Sequence, residues 1–217
     1  MVAAAPRGHP IETVTDKRLD ALQPGETCWR VERATRAAFC IDAESYFRAL
    51  DEALARAEES ILIVGWDIHS RLLLRPDADG EEPRPLAELL TDLVRHKPRL
   101  RVNILGWDFA LIYALERESL PLLRFGLRTH RRVHFRLDGD HPLGSSHHQK
   151  AVVVDGSIAF VGGLDLTAYR WDTREHRVTN PARVTPSGDA YDPFHDVQGA
   201  VSGPAARAVG DLLRRRW

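Results

Sequence analysis

The sequence predicts a layered α/β fold, and three observations carry that expectation. Apolar residues at helical spacing alternate with short apolar runs, two of those runs end in the same tripeptide, and two more meet at an Asp-Gly turn. From Asp42, the residues Tyr46, Phe47, Leu50, Leu54 and Ala57 fall on one helical face, with Asp42 placed to cap the first turn. The run Ile61 to Trp66 then reads as a strand. Leu86, Leu89, Leu90, Leu93 and Val94 mark a second helix, ended by Pro98, which feeds a strand from Arg101 to Trp107. Phe109 to Phe125 predicts another helix, interrupted around Pro121, and Val133 to Leu137 a strand. Gln149 to Asp155 and Ile158 to Val161 are β-branched runs joined at Asp155-Gly156, a strong hairpin signal.

The repeated tripeptides, Gly65-Trp66-Asp67 and Gly106-Trp107-Asp108, suggest two equivalent strand ends on one edge of a sheet. Folds of this class build their sites at the carboxyl ends of strands. The tryptophans read first as core residues and the aspartates as caps for the segments after them. Residues 1–26, with Pro6, Gly8, Pro10, Pro24 and Gly25 and few apolar positions, read as a loose arm, leaving 27–217 as the folded domain.

At 217 residues, 43% hydrophobic and 28% charged, the chain can bury a core of its own. Its longest apolar runs fall far short of the ~20 residues needed to span a membrane, and the N-terminus lacks a signal-peptide pattern, so a cytoplasmic chain is expected. Cys28 and Cys40 lack metal-binding spacing and read as reduced thiols, and no metal or other cofactor is called for. A net charge of -1 gives no overall attraction to nucleic acid. The local cluster Arg124, Arg128, Arg131, Arg132 and Arg136, with His130 and His134, reads as a solvated basic face.

One segment stands apart: His148-Gln149-Lys150 leads to Asp155 and, six residues later, to Gly162-Gly163. The chain has only three lysines, Lys17, Lys97 and Lys150, so an ammonium at this spacing is informative. On a strand, His148, Lys150 and Val152 share one face. The ammonium can then hold the non-bridging oxygens of a phosphate while the imidazole approaches phosphorus. Asp155, at an odd offset from His148, points to the other face and reads as an ion-pair or turn residue. Gly162 and Gly163 belong where backbone must come close to a phosphate or a crossing strand. Attack by His148 would need a second histidine to protonate the leaving group, and no other histidine here begins the same pattern.

These residues resemble the signature of the phospholipase D superfamily, His-x-Lys-x4-Asp-x6-Gly-Gly. The likeness extends through Gly162-Gly163-Leu164-Asp165-Leu166, Arg170-Trp171-Asp172-Thr173, His176, Phe194-His195-Asp196-Val197 and Ser202-Gly203-Pro204-Ala205. It covers about Cys28 to Trp217 and is nearest to the N-terminal half of a two-signature phospholipase D. The resemblance implies an α/β/α layered sandwich, one half of a bilobal arrangement with pseudo-two-fold symmetry. It also implies His148 as covalent nucleophile, Lys150 as charge stabiliser, Asp155 as a structural member and Asp196 as the carboxylate orienting the imidazole. Gly162, Gly163, Asp165 and His195 are expected at the substrate, with Asp165 replacing the asparagine that many members carry.

The activity implied is hydrolysis or transphosphatidylation of glycerophospholipids through a phosphohistidine. A second signature would come from a C-terminal half or a homodimer partner. Phospholipid is the expected substrate, with peripheral membrane contact, and nucleic acid is not an expected partner. Two alternatives stand beside this: a homodimeric endonuclease of the same superfamily, and a catalytically incomplete domain that binds phospholipid or phosphate.

Overall fold

A computed structural model describes residues 21–77, 84–108, 125, 129–142 and 145–217. The loose arm expected over 1–26 lies outside the described residues up to residue 20, as does nearly all of the helix expected over 109–125. Two units cluster separately, one ending at Glu32 and the other running from Arg33 to Trp217. In the first, Pro24 bridges to Cys28 and Arg30 pairs with Glu32 at 2.6 Å.

The second unit runs β1 (Ala37–Ile41), α1 (Asp42–Arg56), β2 (Ser60–Gly65), α2 (Leu86–His96), β3 (Arg101–Trp107), β4 (Val133–Asp138), β5 (Ala151–Val154), β6 (Ile158–Gly162), β7 (Val197–Ser202) and α3 (Pro204–Arg216). Among the described residues these strands form one seven-stranded sheet in the order β1-β7-β6-β5-β2-β3-β4. β2, β3 and β4 run parallel, while β5, β6, β7 and β1 pair antiparallel.

Alternation along the strands builds two cores. Ile61, Ile63, Val102, Ile104, Val152, Val154 and Phe160 face Tyr46, Phe47, Leu50 and Leu54 of α1 and Leu86, Leu90 and Val94 of α2. Leu62, Val64, Leu105, Val153 and Ala159 face Ala206 and Leu213 of α3. The result is three layers, α/β/α, and strands covered on both faces read as continuous apolar runs. Each fully buried Leu or Phe contributes about 1.5–3 kcal/mol. No helix among the described residues is long and apolar enough to cross a membrane.

Three sequence expectations are corrected. Asp42 does not cap α1: Ile41 takes the cap position, Asp42 is the first helical residue with φ 64°, and its buried carboxylate meets His195 and His176. The strand of the signature begins at Ala151 rather than Gln149. The short edge strand β1 was not foreseen, because AAFCI is half exposed and lacks clear alternation. The basic cluster is also partly internal. Arg132 donates to the carbonyls of Lys97, Pro98 and Leu100 at 2.7, 2.8 and 2.9 Å and to that of Val94, closing the end of α2. Cys28 and Cys40 are free thiols.

Asp155 occupies the β5–β6 turn in the left-handed region, at φ 51°, followed by Gly156 at φ 61°. Its carboxylate accepts the amides of Glu58, Glu59 and Ser60 at 2.8, 2.9 and 2.7 Å, fixing the loop that starts β2. Hydrogen bonds to a charged acceptor are among the stronger ones. Asp155→Ala is expected to cost about 2 kcal/mol. Asp155→Asn, which keeps an acceptor and tolerates positive φ, is expected to cost less. Urea denaturation of the three proteins measures the order, and equal midpoints would exclude this role.

Candidate active site

One edge of the sheet gathers the chemistry. β2, β3, β4 and β6 end there, while β5 and β7 begin there, so Trp66, Trp107, Asp138, Gly162, Lys150 and Asp196 all lie along it. The two tripeptides are in register, Gly65 opposite Gly106, and their tryptophans stack with centroids 5.6 Å apart. Trp107 is buried, in keeping with its expected core role. Of the following aspartates, Asp67 accepts from Thr167 Oγ1 at its Oδ2 at 2.5 Å, and Asp108 Oδ1 lies 2.8 Å from His141 Nε2; the segment that Asp108 is expected to cap lies outside the described residues.

Lys150 lies within this edge and is buried. Extending the β2–β5 register by one residue sets Gly65 opposite it on one side, and the amide of Gly162 donates to its carbonyl on the other. Glycines on both flanks leave room above the sheet for its side chain. The ammonium lies 3.0 Å from Asp165 Oδ2 and 5.8 Å from the centre of the Trp66 ring, but makes no well-aligned hydrogen bond. Asp165 Oδ1 meanwhile accepts the amides of Trp66 at 2.8 Å and Asp67 at 3.3 Å. Burial pushes the Asp165 carboxyl above the ordinary carboxylate range, outweighing the opposing pull of Lys150 and the two amides.

His148 precedes β5 and is exposed, its ring meeting the edge of Trp66 with centroids 6.0 Å apart. Its neighbour His147 turns elsewhere, against Arg216 and Asp138. Asp196 is not hydrogen-bonded to His148; its Oδ1 accepts the amide of Val197 at 2.7 Å. His148 stands three residues before β5 and Asp196 one residue before β7, with β6 between those two strands.

The glycines answer to the crossing strand. A Cβ on Gly163 would fall 2.2 Å from Asp196 Oδ1, and one on Gly162 would fall 2.5 Å from the Val197 carbonyl oxygen and 2.6 Å from Gln198 Oε1. Gln198, fully buried and paired across from Gly162, donates nothing from its Nε2. Its role was hidden in the sequence because a glutamine in an alternating strand carries no signal of its own.

His195 does not face Lys150. Its Nδ1 lies 2.6 Å from Oδ1 of Asp42. His176 Nε2 lies 3.3 Å from Asp42 Oδ2, and its Nδ1 lies 3.1 Å from Asp172 Oδ2. Asp172 is buried; its Oδ1 accepts from Arg183 at 3.0 Å and from the Thr173 amide at 2.8 Å, while its Oδ2 accepts the Phe194 amide at 3.0 Å. Burial drives this carboxyl up, but the bonds from His176, Phe194, Thr173 and Arg183 together hold it below the ordinary range. Asp42, His176 and His195 each offer a ligand atom within 4.8 Å of the others, a cluster that could hold a metal ion and that sequence spacing concealed. A cleft of about 470 Å³ beside α2, lined by Ser70, Arg71, Glu88, Thr91 and Arg95 among others, includes none of the signature residues.

Comparison with known proteins adds an independent observation. A family model described as phospholipase D matches residues 140–217. Phospholipase D zeta 1 of Arabidopsis thaliana is 30% identical over 213 residues, covering 84% of this chain and 19% of its own length. Phospholipase D1 of Mus musculus is 32% identical over 160 residues, covering 69% of this chain and 14% of its own. The chain thus spans no more than a fifth of these two relatives. Among solved structures, NucT from Helicobacter pylori shares the fold with a TM-score of 0.52 at 11% identity, covering 83% of this chain and 94% of its own.

The pairing at Lys150 has a pH signature. Because the fold favours protonated Asp165, its contribution to stability is fully present below the ordinary carboxylate pKa of about 4 and is lost as pH rises through the raised value. The stability of the wild type relative to Asp165→Asn is therefore expected to decline as pH rises above about 4. Urea midpoints at each pH measure it, and a difference that grows with pH would contradict the assignment.

Proposed function

The chain belongs to the phospholipase D superfamily, and from that premise we propose that it supplies one half of an active site that cleaves the phosphodiester of glycerophospholipids. The observation that carries this reading is the pairing of an exposed imidazole with a buried ammonium whose donors are not used up internally. His148 Nε2 attacks phosphorus, forming a P–N bond as the P–O bond to the head-group alcohol breaks. Lys150 neutralises charge gathering on the non-bridging oxygens, with Asp165 holding the ammonium in place from the side away from solvent. Water or another alcohol, deprotonated by a second histidine, then attacks phosphorus, and the P–N bond breaks to restore His148. That second histidine protonates the leaving alkoxide in the first step. It comes from another signature, carried by a C-terminal half or a second copy of this chain.

In this reading Asp196 orients His148 by accepting its Nδ1–H. That requires the imidazole to turn from the Trp66 edge toward β7. Gly162 and Gly163 let the entrance of β7 approach closely enough to bring the Asp196 carboxylate against the end of β6. The nuclease alternative is less well supported, since Arg132 directs its guanidinium to backbone carbonyls and Arg136 lies over the Trp217 ring at 4.5 Å.

The 217-residue chain as a verified monomer is expected to release no choline from phosphatidylcholine vesicles. In an assembly with two signatures, His148→Ala should lower turnover by roughly 10³-fold or more, and Lys150→Ala by roughly 10²-fold or more. Light scattering coupled to a choline assay measures both. Turnover by the monomer that His148→Ala abolishes would remove the need for a second signature. Turnover indifferent to His148→Ala would remove the nucleophile.

A further inference from the structure

We propose that Asp42, His176 and His195 form a binding site for a divalent transition-metal ion of the zinc class, separate from the phosphodiester chemistry at His148 and Lys150. Their ligand atoms converge from the β1–α1 junction, the loop after Trp171 and the entrance to β7, and lie within 4.8 Å of one another. Tetrahedral zinc with bonds of about 2.0–2.2 Å keeps its ligand atoms roughly 3.3–3.6 Å apart, which lies between the 2.6 Å contact of His195 with Asp42 and the 4.8 Å limit within which all three ligand atoms fall. Two imidazoles and one carboxylate form a borderline donor set that suits such ions better than magnesium or calcium.

The observation pointing to a ligand is an unsatisfied atom. Asp42 is only 1% exposed, yet its Oδ2 has no hydrogen-bond partner and is directed at His176 Nε2 across 3.3 Å. A buried carboxylate oxygen left unpaired is costly, and a cation between it and the two rings would satisfy it. The surroundings match how metal ligands are held. His176 turns Nε2 toward Asp42 while its Nδ1 bonds to Asp172, and Asp172 is itself fixed by Arg183 and two backbone amides. A carboxylate behind a ligating histidine sets its tautomer and ring orientation. The His195 contact at 2.6 Å uses only Oδ1, which leaves Oδ2 facing His176 Nε2 at 3.3 Å.

Three protein ligands leave at least one coordination position, and it opens to solvent, since the His195 side chain is 63% exposed. The amide of Asp42 donates to the carbonyl of Asp196 at 2.9 Å, so an ion here would stiffen the backbone that carries Asp196.

The test is metal binding by the tag-free 217-residue chain, which is independent of whether phospholipid is its substrate. Co²⁺ titration followed by visible absorption is expected to show one saturable equivalent, displaced by Zn²⁺ and not by Mg²⁺ or Ca²⁺. His195→Gln and His176→Gln should each weaken binding by roughly tenfold or more while keeping the native circular dichroism spectrum. His195→Gln is the deciding variant, because its exposed ring can be replaced without disturbing the core. No saturable uptake by the wild type, or uptake undiminished in folded His195→Gln, overturns the site. Metal binding by this chain, together with turnover that is indifferent to His148→Ala in an assembly with two signatures, would leave this proposal standing and remove the one above.

Discussion

The buried pair of Lys150 and Asp165 is the contact on which the arrangement of this edge depends. Removing an ammonium from water costs several kcal/mol unless a counter-charge accompanies it. Asp165 supplies that charge from a position that also receives the amides of Trp66 and Asp67. One carboxylate therefore joins the end of β2, the start of β5 and the turn after β6. The space it occupies exists because Gly65 has no side chain: a Cβ there would stand 3.2 Å from Asp165 Oδ1 and 2.8 Å from Ile68. Burial raises the Asp165 carboxyl, which shows that pairing offsets the desolvation only in part. The ammonium is thus held in place without being fully satisfied, as a group meant to meet an anion needs to be.

A second constraint arises from the first. β6 must carry Asp165 to Lys150 and at the same time receive β7 at close range, and Gly162-Gly163 permits both. β7 in turn is entered through His195 and Asp196, whose backbone meets the start of α1. The position of Asp196 is therefore tied on one side to the glycine pair and on the other to the Asp42 cluster. Two polar groups of residues that are remote in sequence share a single strand entrance.

Much of this was legible in the chain. Alternating runs marked the layers, Asp155-Gly156 marked the hairpin, and the repeated Gly-Trp-Asp tripeptides marked two strand ends that the structure sets in register. The hidden part is non-local. Asp42 has the local pattern of a helix cap, and only the fold reveals that a left-handed backbone turns its carboxylate inward to two histidines from distant segments. β1 is an edge strand with one exposed face, so its alternation is faint. Gln198 is an ordinary polar residue until Gly162 is seen opposite it.

The polar atoms of this edge differ in how fully they are satisfied. Asp155 commits both oxygens to three amides, and Arg183 donates to Asp172, Tyr191 and Val178; these groups are satisfied and hold the fold. Among the described residues, Lys150 Nζ, Gln198 Nε2 and Asp42 Oδ2 are buried without hydrogen-bond partners along this edge, and Thr91 Oγ1, Trp171 Nε1 and Arg216 Nε are so elsewhere. A fold rarely bears such costs by accident, since each could be relieved by an apolar residue of similar size. Of the three along this edge, two are donors flanking Gly162, where an anion would be welcome, and one is an acceptor beside two imidazoles, where a cation would be. The sign of the missing partner at each place is set by the protein's own groups, and it differs between two neighbouring parts of the same sheet edge.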